Sequence, residues 1–217
     1  MEISKATRNY IYEMLPKSSG LEAEMEEYAK ENHIPIMDAE GLHTMLTIMG
    51  IAQPKNILEV GTAIGYSAIR MLHAAPEAVI TSIERDEERS QLAEENIKKA
   101  GLEDRFHLIK GDALESASQV AEKAPYDILF IDAAKGQYES FFNLFEPLVN
   151  ENGIIFSDNV LFQGYVAGEK EMESRRFRAM VKRLDQFNKN IMNNPRFAST
   201  LLPVGDGLLV TRKCKSI

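Results

Sequence analysis

Tryptophan is absent from this 217-residue sequence, and cysteine occurs once, as Cys214. One thiol cannot close an internal disulfide. A disulfide-stapled scaffold and a cysteine zinc site are therefore excluded, and a reducing compartment is expected. The four histidines, His33, His43, His73 and His107, show no metal-ligand spacing and read as packing or surface residues. No run approaches the roughly 20 apolar residues that span a bilayer. Residues 1–20 lack the basic start and unbroken apolar stretch of a signal peptide. Positive charge is also scarce: 25 Lys and Arg face 33 Asp and Glu, a net charge of −8, which argues against a protein that coats nucleic acid with its whole surface. At 44% hydrophobic and 27% charged residues, the chain has an ordinary globular composition and enough length to bury a core. The expectation is a soluble cytoplasmic protein with one domain over 1–217, of which 1–52 is an N-terminal helical elaboration.

What charge there is falls unevenly. Residues 170–190 carry seven basic side chains (Lys170, Arg175, Arg176, Arg178, Lys182, Arg183 and Lys189) against Glu171, Glu173 and Asp185. A basic face on an acidic body suits a polyanion; a solvated helix face with i,i+4 ion pairs would look the same.

The hydrophobic pattern divides the chain. Up to residue 52, apolar residues recur at helical spacing: Ile3, Ala6, Tyr10 and Leu15, then Leu21, Met25, Tyr28 and Ala29. Asp38 is placed to cap a third helix, carrying Leu42, Met45, Leu46 and Met49 and stopping near Gly50. From Pro54, short β-branched runs alternate with helical stretches. The runs are 56–61 (NILEVG), 78–84 (AVITSIE), 106–110 (FHLIK), 126–132 (YDILFID) and 153–158 (GIIFSD), with helices expected at 66–75, 87–100, 113–123 and 136–149. Apolar strands alternating with helices predict a parallel sheet covered on both faces. A basic amphipathic helix is expected at 170–193. Two last strands, 197–203 and 207–213, flank Gly205-Asp206-Gly207 and must form an antiparallel hairpin, because so short a turn cannot make a parallel crossover. The fold class is thus α/β, with seven strands, mostly parallel.

Ligands of such sheets bind beyond the carboxyl ends of the strands, and here each of the five parallel strands ends in a suitable residue. The first runs into Gly61 and Gly65, the second ends in Glu84, the third runs into Gly111-Asp112, the fourth ends in Asp132 and the fifth in Asp158-Asn159. Singly, each has an ordinary reading, Asp112 as a cap and Asp132 as a turn residue. Together, on one edge, they favour a shared site. The first turn puts Ala63 where a dinucleotide fingerprint wants its middle glycine, so it is less adapted to a diphosphate. Glu84 is placed for two ribose hydroxyls, Asp112 for the adenine amine and Ala113 for the ring. That suits an adenosine ligand without phosphates, such as S-adenosylmethionine. Asp132, Asp158 and Asn159 offer hard oxygen donors for Mg²⁺, Mn²⁺ or Ca²⁺. A metal beside a methyl donor can acidify a substrate hydroxyl and aim it at the methyl carbon. Lys135 can take the proton or stabilise the oxyanion; a surface lysine in a helix's first turn is the plainer alternative.

Residues 59–67 (EVGTAIGYS), 83–84 (IE), 111–113 (GDA), 131–135 (IDAAK) and 157–159 (SDN) resemble the metal-dependent class I O-methyltransferases of the catechol and caffeoyl-CoA type, over about residues 30–213. The resemblance implies a Rossmann-like methyltransferase fold and a homodimer. It implies that Met37, Gly61, Ser67, Glu84, Asp112, Ala113 and Asp132 line the S-adenosylmethionine pocket. It further implies that Asp132, Asp158 and Asn159 hold Mg²⁺, and that Lys135 stands where the catechol enzymes carry their catalytic lysine. Without the resemblance, Met37 reads as core. The catechol enzymes carry aromatic walls beside the metal, one of them just before the lysine. Here that position is Ala134, which implies a wider pocket.

Within the family, residues 131–138 (IDAAKGQY), 158–162 (DNVLF) and 203–208 (PVGDGL) are most similar to the bacterial enzymes that convert tRNA 5-hydroxyuridine into 5-methoxyuridine at the wobble position. O5 and O4 of that base can chelate one metal as catechol oxygens do. An anticodon loop is a usual kind of RNA target, and Arg175, Arg176, Arg178, Lys182 and Arg183 become candidates for its phosphates. Residues 160–168 (VLFQGYVAG) suit a flap over the substrate, or a connector. The alternatives are a small catechol or phenol as acceptor, a nicotinamide-dependent oxidoreductase, and a non-catalytic adenosine-binding module. Ala63 and the acidic set argue against the oxidoreductase, and the intact Asp132, Asp158 and Asn159 set against the non-catalytic module.

Overall fold

The computed structural model describes residues 4–171 and 174–214. Ile3 and Glu173 lie outside the described residues. Three helices come first: α1 (Lys5–Met14), α2 (Leu21–Glu31) and α3 (Ala39–Ala52). Asp38 caps α3 as its position implied, its carboxylate accepting the Glu40 N–H at 2.9 Å. The helix runs two residues past Gly50 and ends on Gln53 in the left-handed conformation, just before Pro54.

An alternating series follows: β1 (Asn56–Val60), α4 (Tyr66–Ala74), β2 (Val79–Glu84), α5 (Glu87–Lys99), β3 (Phe106–Lys110), α6 (Ala117–Ala121), β4 (Tyr126–Ile131), α7 (Tyr138–Phe145) and β5 (Val149–Ser157). Then come α8 (Arg175–Met192), β6 (Phe197–Leu202) and β7 (Leu208–Lys213). All seven strands join one sheet in the order β3-β2-β1-β4-β5-β7-β6. The first five are parallel, whereas β7 pairs antiparallel with both β5 and β6. This is the seven-stranded Rossmann-like methyltransferase fold.

β1, β2 and β4 are buried almost throughout, as a sheet covered on both faces requires. One core forms on each face. Met45, Met49, Ile57, Leu72 and Ile80 belong to the one that includes the N-terminal helices. Leu58, Tyr126, Phe142, Phe145 and Phe187 belong to the other, which takes in α7 and α8. Among the described residues no helix is long and apolar enough to cross a membrane.

Four expected boundaries move. The basic helix expected from 170 starts at Arg175, where Ser174 caps it by accepting the Phe177 N–H at 3.2 Å. The 113–123 helix shrinks to α6, because residues 112–116 form a turn in which Asp112 accepts the Leu114 N–H at 2.9 Å. The 136–149 helix breaks into a 3₁₀ turn (Lys135–Gln137), α7, and a second 3₁₀ turn with a proline at its start (Glu146–Leu148). β5 begins at Val149 rather than 153, its polar first half masking it in the sequence.

Candidate active site

The strand tips are stitched to one another along the carboxyl edge. Gly111 N–H donates to Glu84 O at 2.9 Å, and Gly61 N–H to Ile83 O at 3.0 Å. Asp132 N–H donates to Val60 O, and Asp158 N–H to Ile131 O, both at 3.0 Å. The winding of the sheet reverses between β1 and β4, where such folds open a crevice. A cavity of about 300 Å³ lies there, at the small end of the range for small-molecule sites.

Met37, Gly61, Ser67, Glu84, Asp112, Ala113 and Asp132 all line this cavity, and so do Lys135 and Asn159. Asp158 does not. It is 1% exposed and sits behind the wall, its carboxylate accepting from the Asn159 amide at 3.1 Å. Met37 is both wall and core, 4% exposed.

Gly61 is required by the chain itself. With φ of 102°, it faces the β4 tip so closely that a Cβ would meet Asp132 O at 2.0 Å. Gly65 starts α4 at φ 83°, close against the Ala93 backbone of α5.

On the β1–β3 side the acids are held by their own chain. Glu84 Oε1 accepts the backbone N–H groups of Arg85 and Asp86, and Oε2 that of Ala63, each at 2.9 Å. Its carboxylate is thereby aimed before any ribose arrives, and Oε2 takes only one of the three bonds. Beneath it, Glu59 is fully buried and accepts from the hydroxyls of Ser67 and Ser82. Burial outweighs both hydroxyls and pushes the Glu59 carboxyl up to about 7. Arg85 and Arg89 also line the cavity; nothing in the strand-tip pattern signals them, since both lie beyond β2.

The β4–β5 side is unbalanced. Burial, and the Asp132 charge next, push the Asp158 carboxyl up to about 8. The Lys135 ammonium opposes this, lying 3.2 Å from Asp132 Oδ1. Two carboxylates and an amide at adjacent strand tips, costly to ionise together, fit a divalent cation bound through oxygen. Among the described residues there is no group of three or more His, Cys, Asp and Glu that could hold a metal; this set depends on the Asn159 amide.

Residues 160–168 are fastened rather than free-standing. Val160 and Leu161 N–H groups donate to the Gly207 and Asp206 carbonyls, both at 3.0 Å, and Gln163 N–H donates to the Asp206 carboxylate. Phe162 and Tyr165 pack with Phe177 of α8. These contacts accord with the connector reading of the segment. On α8, Arg175, Arg176, Arg178, Lys182 and Arg183 are all exposed, opposite the buried Val181, Leu184, Phe187 and Ile191. Within the helix, Met180 packs on Gly136, next to the cavity residue Lys135.

Comparison with known proteins agrees with this geometry. A family model described as O-methyltransferase matches residues 9–214. The chain belongs to the O-methyltransferase family. A caffeoyl-CoA O-methyltransferase of Populus kitakamiensis is 30% identical, over 97% of this chain and 94% of its own length. A catechol O-methyltransferase of Niastella koreensis is 36% identical over 60% of this chain and 63% of its own. Among solved structures, a Staphylococcus aureus protein assigned as a caffeoyl-CoA O-methyltransferase superposes with a TM-score of 0.90 at 33% identity, covering 96% of this chain and 100% of that one. A Bacillus cereus O-methyltransferase in complex with SAH gives 0.80 at 25% identity, covering 96% and 97%. The protein is an S-adenosylmethionine-dependent O-methyltransferase.

Proposed function

We propose that this O-methyltransferase acts in the cytoplasm on the 5-hydroxyl of 5-hydroxyuridine at the wobble position of a tRNA anticodon, giving 5-methoxyuridine, with Mg²⁺ or Mn²⁺ at Asp132, Asp158 and Asn159. The observation that carries this reading is α8. It presents an exposed basic face of Arg175, Arg176, Arg178, Lys182 and Arg183, and its Met180 packs on Gly136, between the cavity residues Lys135 and Gln137; a polyanionic backbone could lie along that face while one base entered the site. Ala134 is a small residue in the cavity wall, where a catechol enzyme would carry an aromatic one, which favours an acceptor larger than a catechol.

When bound, S-adenosylmethionine supplies the methyl group and the divalent cation acidifies the acceptor hydroxyl. The chain's own residues do the rest. Glu84 accepts from the ribose hydroxyls, Asp112 and Ala113 take the adenine, and Met37, Gly61 and Ser67 wall the pocket. Asp132 reaches both the cofactor and the acceptor. Lys135, in the cavity wall beside Asp132, would stabilise the acceptor oxyanion as an ammonium, or take the proton once it is itself deprotonated. The reading includes a homodimer, for which Tyr10 and Met14 on α1 and Ile51 on α3 provide exposed apolar surface; a monomer in analytical ultracentrifugation would remove that part.

A second reading, a small catechol or phenol as acceptor, draws on the similarity to the Niastella koreensis enzyme. Nucleoside mass spectrometry separates the two. Purified protein, S-adenosylmethionine and Mg²⁺ are incubated with tRNA carrying 5-hydroxyuridine. Appearance of 5-methoxyuridine, abolished by EDTA, is expected. Turnover of catechols with none on the tRNA would transfer the assignment to the second reading.

A further inference from the structure

The tip of β5 turns through Asp158, Asn159 and Val160, and Asn159 takes a left-handed φ of 54° there. Carbonyls on both sides of Asn159 are held by side chains from other elements. The Tyr138 hydroxyl of α7 donates to Asp158 O at 2.8 Å, and the Asn188 amide of α8 donates to Val160 O at 2.9 Å. Both donors are buried, 1% and 6% exposed, and neither lines the cavity.

Each has a feature that plain packing does not explain. The Tyr138 ring is fixed edge-on by Phe187 at 5.8 Å, and the Lys135 ammonium lies 5.7 Å from its centroid. One side chain thus touches both the lysine and the acid-bearing turn. In Asn188, Oδ1 is buried with no hydrogen-bond partner among the described residues. An apolar residue would avoid that cost, so what the amide contributes here is its one bond, to Val160.

We infer that Tyr138 and Asn188 are positioning residues: from two helices packed together on one face of the sheet they hold the carbonyls before and after Asn159 and so set the direction in which Asp158 and Asn159 present their oxygens. This rests on the proposed reading of those two residues as holders of a divalent cation. Groups behind metal ligands commonly set affinity in this way.

The test is Mn²⁺ binding to cofactor-free protein, followed by the electron paramagnetic resonance signal of free Mn²⁺, with SAH calorimetry alongside. Tyr138→Phe keeps the ring beside Lys135 and removes only the hydroxyl; Asn188→Leu removes the amide together with its unpaired oxygen. Each is expected to weaken Mn²⁺ binding about tenfold or more, with SAH affinity at the wild-type value. Wild-type Mn²⁺ affinity in both variants would overturn the inference and leave the metal reading standing. Equal losses of Mn²⁺ and SAH binding would also overturn it, marking a general structural role. A wild-type protein that fails to bind Mn²⁺ would overturn both.

Discussion

On the β1–β2–β3 side of the cleft, each acid already has partners from its own chain. Glu84 takes three backbone N–H groups, Asp112 takes one, and Glu59 takes two serine hydroxyls. On the β4–β5 side, Asp132 pairs with the Lys135 ammonium and Asp158 with the Asn159 amide, and burial, with the Asp132 charge next, pushes the Asp158 carboxyl up to about 8. The first half is held in place by its own backbone, and in the proposed reading it receives the ribose hydroxyls and the adenine. The second is charge-unbalanced in the way that a cation corrects. One edge thus has two chemistries, and they should be separable by mutation.

The largest expected effect comes from Asp158→Ala. Turnover should fall by about three orders of magnitude, the several kcal/mol a metal supplies to such a step, while SAH binding measured by calorimetry is unchanged. Wild-type activity in excess EDTA would break the comparison. Next is charge reversal at Arg175, Arg176 and Arg178. It should weaken tRNA binding about tenfold or more and flatten the log K against log salt slope by about 0.7 for each phosphate that is no longer neutralised. An unchanged slope would remove α8 from the interface. Glu84→Ala should then raise the SAH dissociation constant about tenfold, the worth of one charge-assisted hydrogen bond. Mn²⁺ affinity in that variant should stay at the wild-type value; an equal loss of both would mean the halves are one unit.

The smallest effect is on stability. The Glu59 carboxyl titrates near 7 in the folded chain against 4.5 when exposed. A raised carboxyl favours the folded state below the unfolded value, and that contribution is lost as pH rises through about 7. Glu59→Gln should therefore flatten the melting-temperature profile between about pH 4.5 and 7. A profile parallel to that of the wild type would mean that the pair of serines outweighs burial.

How much of this could be read beforehand depended on locality. β1, β2 and β4 were legible because strands buried on both faces are written as unbroken apolar runs, and their polar endings marked the edge. The start of β5 was hidden by its polar residues 150–152, and α6 shrank because Asp112 and Ser116 bond locally. Site residues at strand tips were legible for the same reason. Tyr138 and Asn188 were not, because what they do depends on Asp158 and Val160 carbonyls 20 and 28 residues away in sequence. Nor does any local pattern say that Glu84 is spoken for by Ala63, or that Gly61 is demanded by Asp132 O.

The interior position of β7 carries a temporal consequence. It is the last of the seven strands to leave the ribosome, yet it sits between β5 and β6. The turn ahead of it holds Val160 and Leu161 through Gly207 and Asp206. A nascent chain can pair β1 to β4 as soon as residue 131 emerges. The loop behind Asp158 cannot lock until residue 207 is out, so translation delivers the tips of β1 to β4 before the hydrogen bonds that hold the acid-bearing turn.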